Sequence, residues 1–166
     1  MESKVDQFKA IMGSYPTGVT IVTTMDQNQK PVGMTVNSFA SVSLDPLMVL
    51  WCIDHRASNY GAFKHSDSFA VHVLAAEQKE LCMNFSKKGI DRFSMVEWTT
   101  SVHGLPILPD VLGVFECKKV QEVEAGDHTI LIGEVISLHR SDKDPLFYFR
   151  RNVGSLQELA KACITR

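Results

Sequence analysis

The chain carries few of the signatures by which small proteins declare their chemistry. No GxGxxG stands between a strand and a helix, so the dinucleotide fingerprint of a parallel α/β domain is missing. Any nucleotide would have to be held by side-chain hydroxyls, amides and loop backbone. The four cysteines, Cys52, Cys82, Cys117 and Cys163, are widely spaced with no CxxC. That argues against a structural zinc site and against disulfides, and leaves packing as their default role. The six histidines form no HxH or HxxxH pair, so no metal site is expected. No apolar run approaches the roughly 20 residues that span a bilayer. The opening MESKVDQFKAIMG has no apolar signal core, which points to a cytoplasmic protein with no membrane partner. A net charge of −2 offers no basic face for nucleic acid. Repeats, low-complexity tracts and linkers are absent too.

What is present is an ordinary globular composition, 45% apolar and 22% charged. The length of 166 residues suggests a single domain over 1–166 with a proper core. Val5, Phe8, Ile11 and Met12 fall at helical spacing over residues 4–13, with Gly13 as the stop. From Gly18 the texture turns to β. Residues 19–24 are a β-branched run, and 26–31 form a polar turn. Val32 to Ser43 reads as a second extended segment, and Leu47 to Ile53 as a third, apolar throughout and so expected to be buried on both faces. Residues 57–65 fit a short helix, 69–74 a strand, and 77–85 a helix. Val111 to Glu124 and His128 to His139 are long strands around a hairpin at Ala125-Gly126-Asp127. Leu146 to Phe149 is a last short strand, and 157–163 a terminal helix. Many antiparallel strands with few helices favour a β-barrel over a parallel sheet.

The stretch richest in chemistry is Gly33 to Ser43, GMTVNSFASVS. Its hydroxyls and amide cluster at a strand end, where they can bond carbonyls, a ribityl chain or ring nitrogens. The same groups can equally satisfy their own backbone in a bulge or turn.

GVTIVTT followed by GMTVNSFASVSLDPLMVLW resembles the flavin reductase-like family with the FMN-binding split-barrel fold. The resemblance continues through HRASNYGAF, FAVHVL, LCMNFSKKGIDRF and GDHTILIGEVISL to PLFYF, covering roughly residues 5–154. It is the joint order of these segments that is specific. It implies a mainly β, antiparallel, Greek-key-like split barrel with a few peripheral helices. It also implies an NAD(P)H:flavin oxidoreductase that reduces FMN or FAD with NADH or NADPH, works as a homodimer and supplies a flavin-dependent monooxygenase. Two alternatives stay open: a reductase that keeps its flavin and serves ferric or other acceptors, and a flavin- or haem-binding barrel with no turnover.

The resemblance also assigns residues. Thr35, Val36, Asn37 and Ser38 would wall the isoalloxazine and ribityl chain, with Ser41, Val42 and Ser43 near the same cofactor. Cys52 matches a position close to the ring, or is simply a small buried side chain. In His55-Arg56-Ala57-Ser58-Asn59, Ser58 can cap a helix while Arg56 offers a fork to a phosphate at that helix N-terminus. A capped helix with a solvated arginine fits the same residues. Asn84, Phe85, Ser86 and Phe93 fall in the region that contacts the flavin phosphate or an adenylate, Phe85 offering a stacking face. Lys87 or Lys88 would supply a counter-charge there, or the two lysines complement the helix dipole. His128 would be the catalytic residue, orienting and polarising the nicotinamide, unless it is a turn histidine. Tyr148 resembles a position near flavin or pyridine nucleotide. The chain departs from the family's Gly-rich aromatic ending with Arg150 and Arg151, either phosphate ligands or a solvated basic turn.

Overall fold

Seven antiparallel strands carry the architecture of the computed structural model, which describes residues 2–158 and 161. In chain order they are β2 (Thr20–Met25), β3 (Pro31–Val36), β4 (Ala40–Leu44), β5 (Leu47–Asp54), β6 (Ser68–Val73), β9 (Gly113–Ala125) and β10 (His128–Arg140). Helices α1 (Lys4–Gly13), α2 (Tyr60–His65) and α3 (Lys79–Ser86) lie at the periphery. A three-stranded sheet pairs β1 (Thr17–Gly18) with β11 (Phe147–Phe149) and β12 (Asn152–Gly154), and β7 (Thr99–Thr100) pairs with β8 (Pro106–Ile107).

The order across the main sheet is β3-β2-β6-β9-β10-β5-β4. Consecutive strands β3 and β4 therefore occupy opposite edges. A flat seven-stranded sheet would hold its edges about 29 Å apart, at roughly 4.8 Å per strand. The three residues between Val36 and Ala40 reach at most about 15 Å. The sheet must curl until its edges approach, as a barrel open between β3 and β4. Neighbours that are not consecutive, β2 with β6, β6 with β9 and β10 with β5, give it a Greek-key character.

This curl explains two departures from the sequence expectations. Val32 to Ser43 is not one strand, because its two halves serve opposite edges and residues 37–39 bridge the opening. Nor is β5 buried on both faces. Val49, Trp51 and Ile53 point into the core, whereas Met48, Leu50 and Cys52 are half-buried on the other side. The other predicted segments form within a few residues of their expected bounds, and the expected 157–163 helix lies partly outside the described residues. Strands β7, β8 and β12 are too short to leave a periodic pattern.

Inside the curl, Val22, Val36, Trp51, Phe69, Cys117 and Leu131 arrive from six strands, and α2 inserts Phe63. Trp51 is fully buried, edge-on to Phe63 at 4.8 Å and to Phe69 at 6.0 Å. A Cβ on Gly133 of β10 would lie 2.6 Å from Phe69 Cζ, so only glycine lets that ring sit there. Outside β2 and β6 a second cluster forms from Ile21, Leu74, Cys82, Phe85, Phe93 and Leu108. Both faces of β2 are thus covered, and its threonine hydroxyls are paid for internally: Thr20 donates to Val36 O and Thr23 to Pro106 O. Among the described residues no helix is long and apolar enough to cross a membrane. Cys52, Cys82 and Cys117 are free thiols. The apolar side of α1 does not reach either cluster: Val5, Phe8, Ile11 and Met12 are all at least 50% exposed.

His72 on β6 is fully buried with both ring nitrogens engaged. Nδ1–H donates to Ile21 O at 3.1 Å, and Nε2 accepts from Leu108 N at 3.2 Å. Burial pulls its pKa from 6.5 down to about 4. The unfolded chain therefore takes up the extra proton first. The stability contributed by neutral His72 is complete above about pH 6.5 and is lost as the pH falls toward 4. At about 1.4 kcal/mol per unit the loss amounts to about 3 kcal/mol. Urea unfolding of wild type and His72→Gln should show the wild type losing that much more between pH 7 and 4; parallel pH profiles would refute it.

Candidate active site

The end of β5 and the start of β10 make one corner of the site. His128 pairs across to Asp54 on β5 and to Ala125 on β9, and Gly126, at φ 66°, allows the two-residue turn between. His128 Nδ1–H donates to Asp127 Oδ1 at 2.7 Å, which leaves Nε2 as the free nitrogen of a half-exposed ring. That bond holds the Asp127 carboxyl below its ordinary range. Arg56 is not a free fork. Its Nε and Nη2 donate to the two oxygens of Asp54 at 3.1 and 2.8 Å, holding the Asp54 carboxyl well below the usual range. Ala57 N–H bonds Asp54 O, so residues 54–57 form a turn before α2.

Behind this corner lies a polar group the sequence reading missed. Thr129 Oγ1 meets His55 Nε2 at 3.0 Å and Tyr60 OH at 3.1 Å. Glu124 Oε2 is 3.0 Å from His55, and its Oε1 accepts from Lys64. The residues come from the turn after β5 and from α2, β9 and β10, and no local pattern joins them.

Where residues 37–39 bridge the barrel opening, Ser38 acts as a clamp. Its hydroxyl donates to Cys52 O at 3.1 Å and accepts from Cys52 N at 3.0 Å. Burial pushes the Cys52 thiol up, so it is neutral and no nucleophile near neutral pH. Ser41, Val42 and Ser43 lie on edge strand β4, where a register shift falls between the two serines.

Thr35, Val36, Asn37, Ser86 and Tyr148 come together around a cavity of about 330 Å³ between β3, α3 and β11. That is within the range of small-ligand sites. Thr35 Oγ1 donates to Cys82 O and Ser86 Oγ to Met83 O, both at 2.7 Å. These hydroxyls are committed to helix carbonyls. The Asn37 amide and the Tyr148 hydroxyl have no hydrogen bond among the described residues and can serve a ligand.

A second cleft of about 520 Å³ is bordered by Gly33, Ser58, Asn59, Arg92 and Phe93. Ser58 does not cap α2, whose N-cap is Asn59 with no side-chain capping bond. Instead Ser58 Oγ donates to Asn59 Oδ1, because Asn59 is turned inward to donate to Gly33 O. Arg92, a residue not assigned from sequence, donates to the same Gly33 carbonyl and to Lys87 O, closing the loop after α3. Phe85 offers no stacking face. It is fully buried, edge-on to Phe93 at 5.1 Å, and a Cβ on Gly33 would come within 2.8 Å of its ring. Asn84 is also buried; its amide N–H donates to Arg92 O, while Oδ1 has no partner among the described residues.

A family model described as flavin reductase like domain matches residues 12–157. The chain belongs to that family. It is 43% identical over 141 residues to the FMN reductase (NADH) SmoA of Agrobacterium fabrum, covering 85% of this chain and 80% of the relative. It is 40% identical over 148 residues to the reductase component of the flavin-dependent trigonelline monooxygenase of Acinetobacter baylyi. That match covers 89% of this chain but 48% of the longer relative. Among solved structures, the NADH:FAD oxidoreductase SgcE6 of Streptomyces globisporus, in complex with NAD and FAD fragments, superposes with a TM-score of 0.85. The two share 33% identity, over 92% of this chain and 94% of that one.

Ser38→Ala would strip both backbone groups of Cys52 of their partner, a loss of about 1–3 kcal/mol. Ser58→Ala removes only an exposed bond to a neighbour and should stay within about 0.5 kcal/mol. Urea midpoints measure the contrast, and equal midpoints for Ser38→Ala and wild type would remove the clamp.

Proposed function

We propose that this chain is an NAD(P)H-dependent flavin reductase, one domain of cytoplasmic setting that passes reduced FMN or FAD to a partner monooxygenase. The observation that carries the reading is the cavity beside α3, where the Asn37 amide and Tyr148 hydroxyl stand uncommitted in a chain of this family. The relatives' names, an NADH-dependent FMN reductase and a monooxygenase reductase component, support it. When bound, the flavin supplies the redox chemistry, accepting a hydride from the dihydronicotinamide. The protein has only to hold two rings at reactive distance and keep competing reactants out.

Each residue then has a modest task. Asn37 offers an amide for ring heteroatoms, while Val36, its side chain packed in the barrel core, borders the cavity without offering it a face. Ser38, already bonded twice to Cys52, keeps one lone pair for a ligand while fixing the wall. Ser41, Val42, Ser43 and the neutral Cys52 continue that wall. Asp127 orients the His128 ring so that Nε2 can meet the carboxamide side of the second ligand. Ser58 borders the larger cleft, where its hydroxyl would be open to a polar part of a ligand.

Purified protein mixed anaerobically with FMN and either NADH or NADPH should oxidise the nucleotide and bleach the flavin; no bleaching with any pairing, FAD included, would sink the proposal. In the same assay His128→Ala should lower the reduction rate or raise the nucleotide KM, by up to about a hundredfold if the ring shifts by about 1 Å. Its flavin Kd should stay near that of wild type. A variant unchanged in both would make His128 a turn residue.

The same reading includes a homodimer. The exposed stripe of Val5, Phe8, Ile11 and Met12 on α1, with Val120 and Val123 on β9 and Ile136 and Leu138 on β10, leaves apolar surface that a second copy would cover. Light scattering at micromolar concentration should return twice the chain mass, and a monomer mass would exclude it.

A further inference from the structure

Strands β11 and β12 are joined by a two-residue turn, Arg150–Arg151, with Phe149 paired to Asn152. Both arginines sit in the left-handed region, at φ 48° and 63°. Glycine or asparagine takes such positions without the penalty a longer side chain meets. Asn152 Nδ2 donates to Arg150 O at 3.0 Å and Arg150 N–H to Gly13 O at 2.7 Å, so the turn is held on both sides.

The two side chains differ in what they do there. Arg150 lays its guanidinium over the Phe149 ring, 5.0 Å from the centroid. Arg151 has no hydrogen bond, ion pair or ring contact among the described residues. Among the described residues it is also the one charged residue lining the 330 Å³ cavity, with Asn37 and Tyr148 the other uncommitted polar groups there. Arg151 also borders a groove with Glu2 and with Asp6 of α1, yet neither pairs with it.

We propose that Arg151 is the anion-recognising residue of this cavity and binds a phosphate group of the nucleotide that occupies it. The inference rests on the flavin reductase reading. A guanidinium offers two parallel N–H donors to two phosphate oxygens, a match neither lysine nor an amide reproduces. The tight turn fixes the backbone from which that fork projects, and with no partner among the described residues its donors are left for a ligand. FMN, FAD and both pyridine nucleotides carry phosphate, so the source has to be separated by experiment.

Dissociation constants for FMN, riboflavin, NADH and NADPH would be measured by fluorescence titration on wild type, Arg151→Gln and Arg151→Gly, with thermal unfolding of each. Binding of at least one phosphate-bearing ligand should weaken roughly tenfold or more in both variants, while riboflavin is unaffected. A loss confined to FMN assigns the flavin phosphate, and one confined to NADH or NADPH assigns the pyridine nucleotide. The glycine variant should melt no lower than wild type, which keeps a binding loss distinct from unfolding. Equal weakening of FMN and riboflavin, or no change for any ligand, would overturn the inference. So would a lowered Tm with unchanged binding, which would place Arg151 in a pair with Glu2 or Asp6. Wild type that binds neither FMN nor riboflavin would overturn the flavin reading itself.

Discussion

Three residues, Asn37 to Phe39, join the two outer edges of a seven-stranded sheet, and that short tether sets the geometry of everything around it. Without the curl it imposes, Trp51 would have no enclosure, since its neighbours Phe63 and Phe69 come from α2 and β6. The Ser38 hydroxyl secures the crossing by taking over both backbone groups of Cys52, on the strand next to the edge. A single side chain thereby substitutes for part of the ladder that a closed barrel would supply. The opening left between β3 and β4 is also where backbone and side chains are free of the ladder and can meet a ligand.

Commitment of polar groups separates the residues that build the site from those that can serve it. Thr35 and Ser86 spend their hydroxyls on α3 carbonyls, Arg56 spends its fork on Asp54, and Asn59 and Arg92 share the Gly33 carbonyl. For the part-buried Thr35, Asn59 and Arg92 an unpaired group would cost more than such a bond returns, whereas the bonds of the exposed Ser86 and Arg56 mainly fix their direction. Asn37, Tyr148, Arg151 and the Nε2 of His128 remain. The network of His55, Tyr60, Lys64, Glu124 and Thr129 supports the corner from behind, fastening α2 to the long hairpin beside His128.

Much of this was legible in the residues themselves. The β-branched run of β2, the Gly126–Asp127 turn, the alternation in β9 and β10 and the helix at 4–13 are local patterns with local causes, and they form where expected. The order of segments identified the family, and the hydroxyl-rich stretch at 35–38 does lie where β3 leaves the sheet. Legibility ended wherever a residue's role depends on a partner far away in sequence. Phe85 looked like a stacking face and is core, because Gly33, more than fifty positions earlier, opens a space that its ring fills. Ser58 looked like a helix cap, but Asn59 reaching for Gly33 moved the helix start beyond it.

The sequence alone determined which segments extend, which coil and which family they compose, since propensity, periodicity and turn chemistry act over a few residues. Only the tertiary structure decided which polar groups stay free. Hydrogen bonds are claimed by whichever donor and acceptor the curled sheet brings within about 3 Å, and that pairing is a property of the curled shape rather than of any stretch of chain.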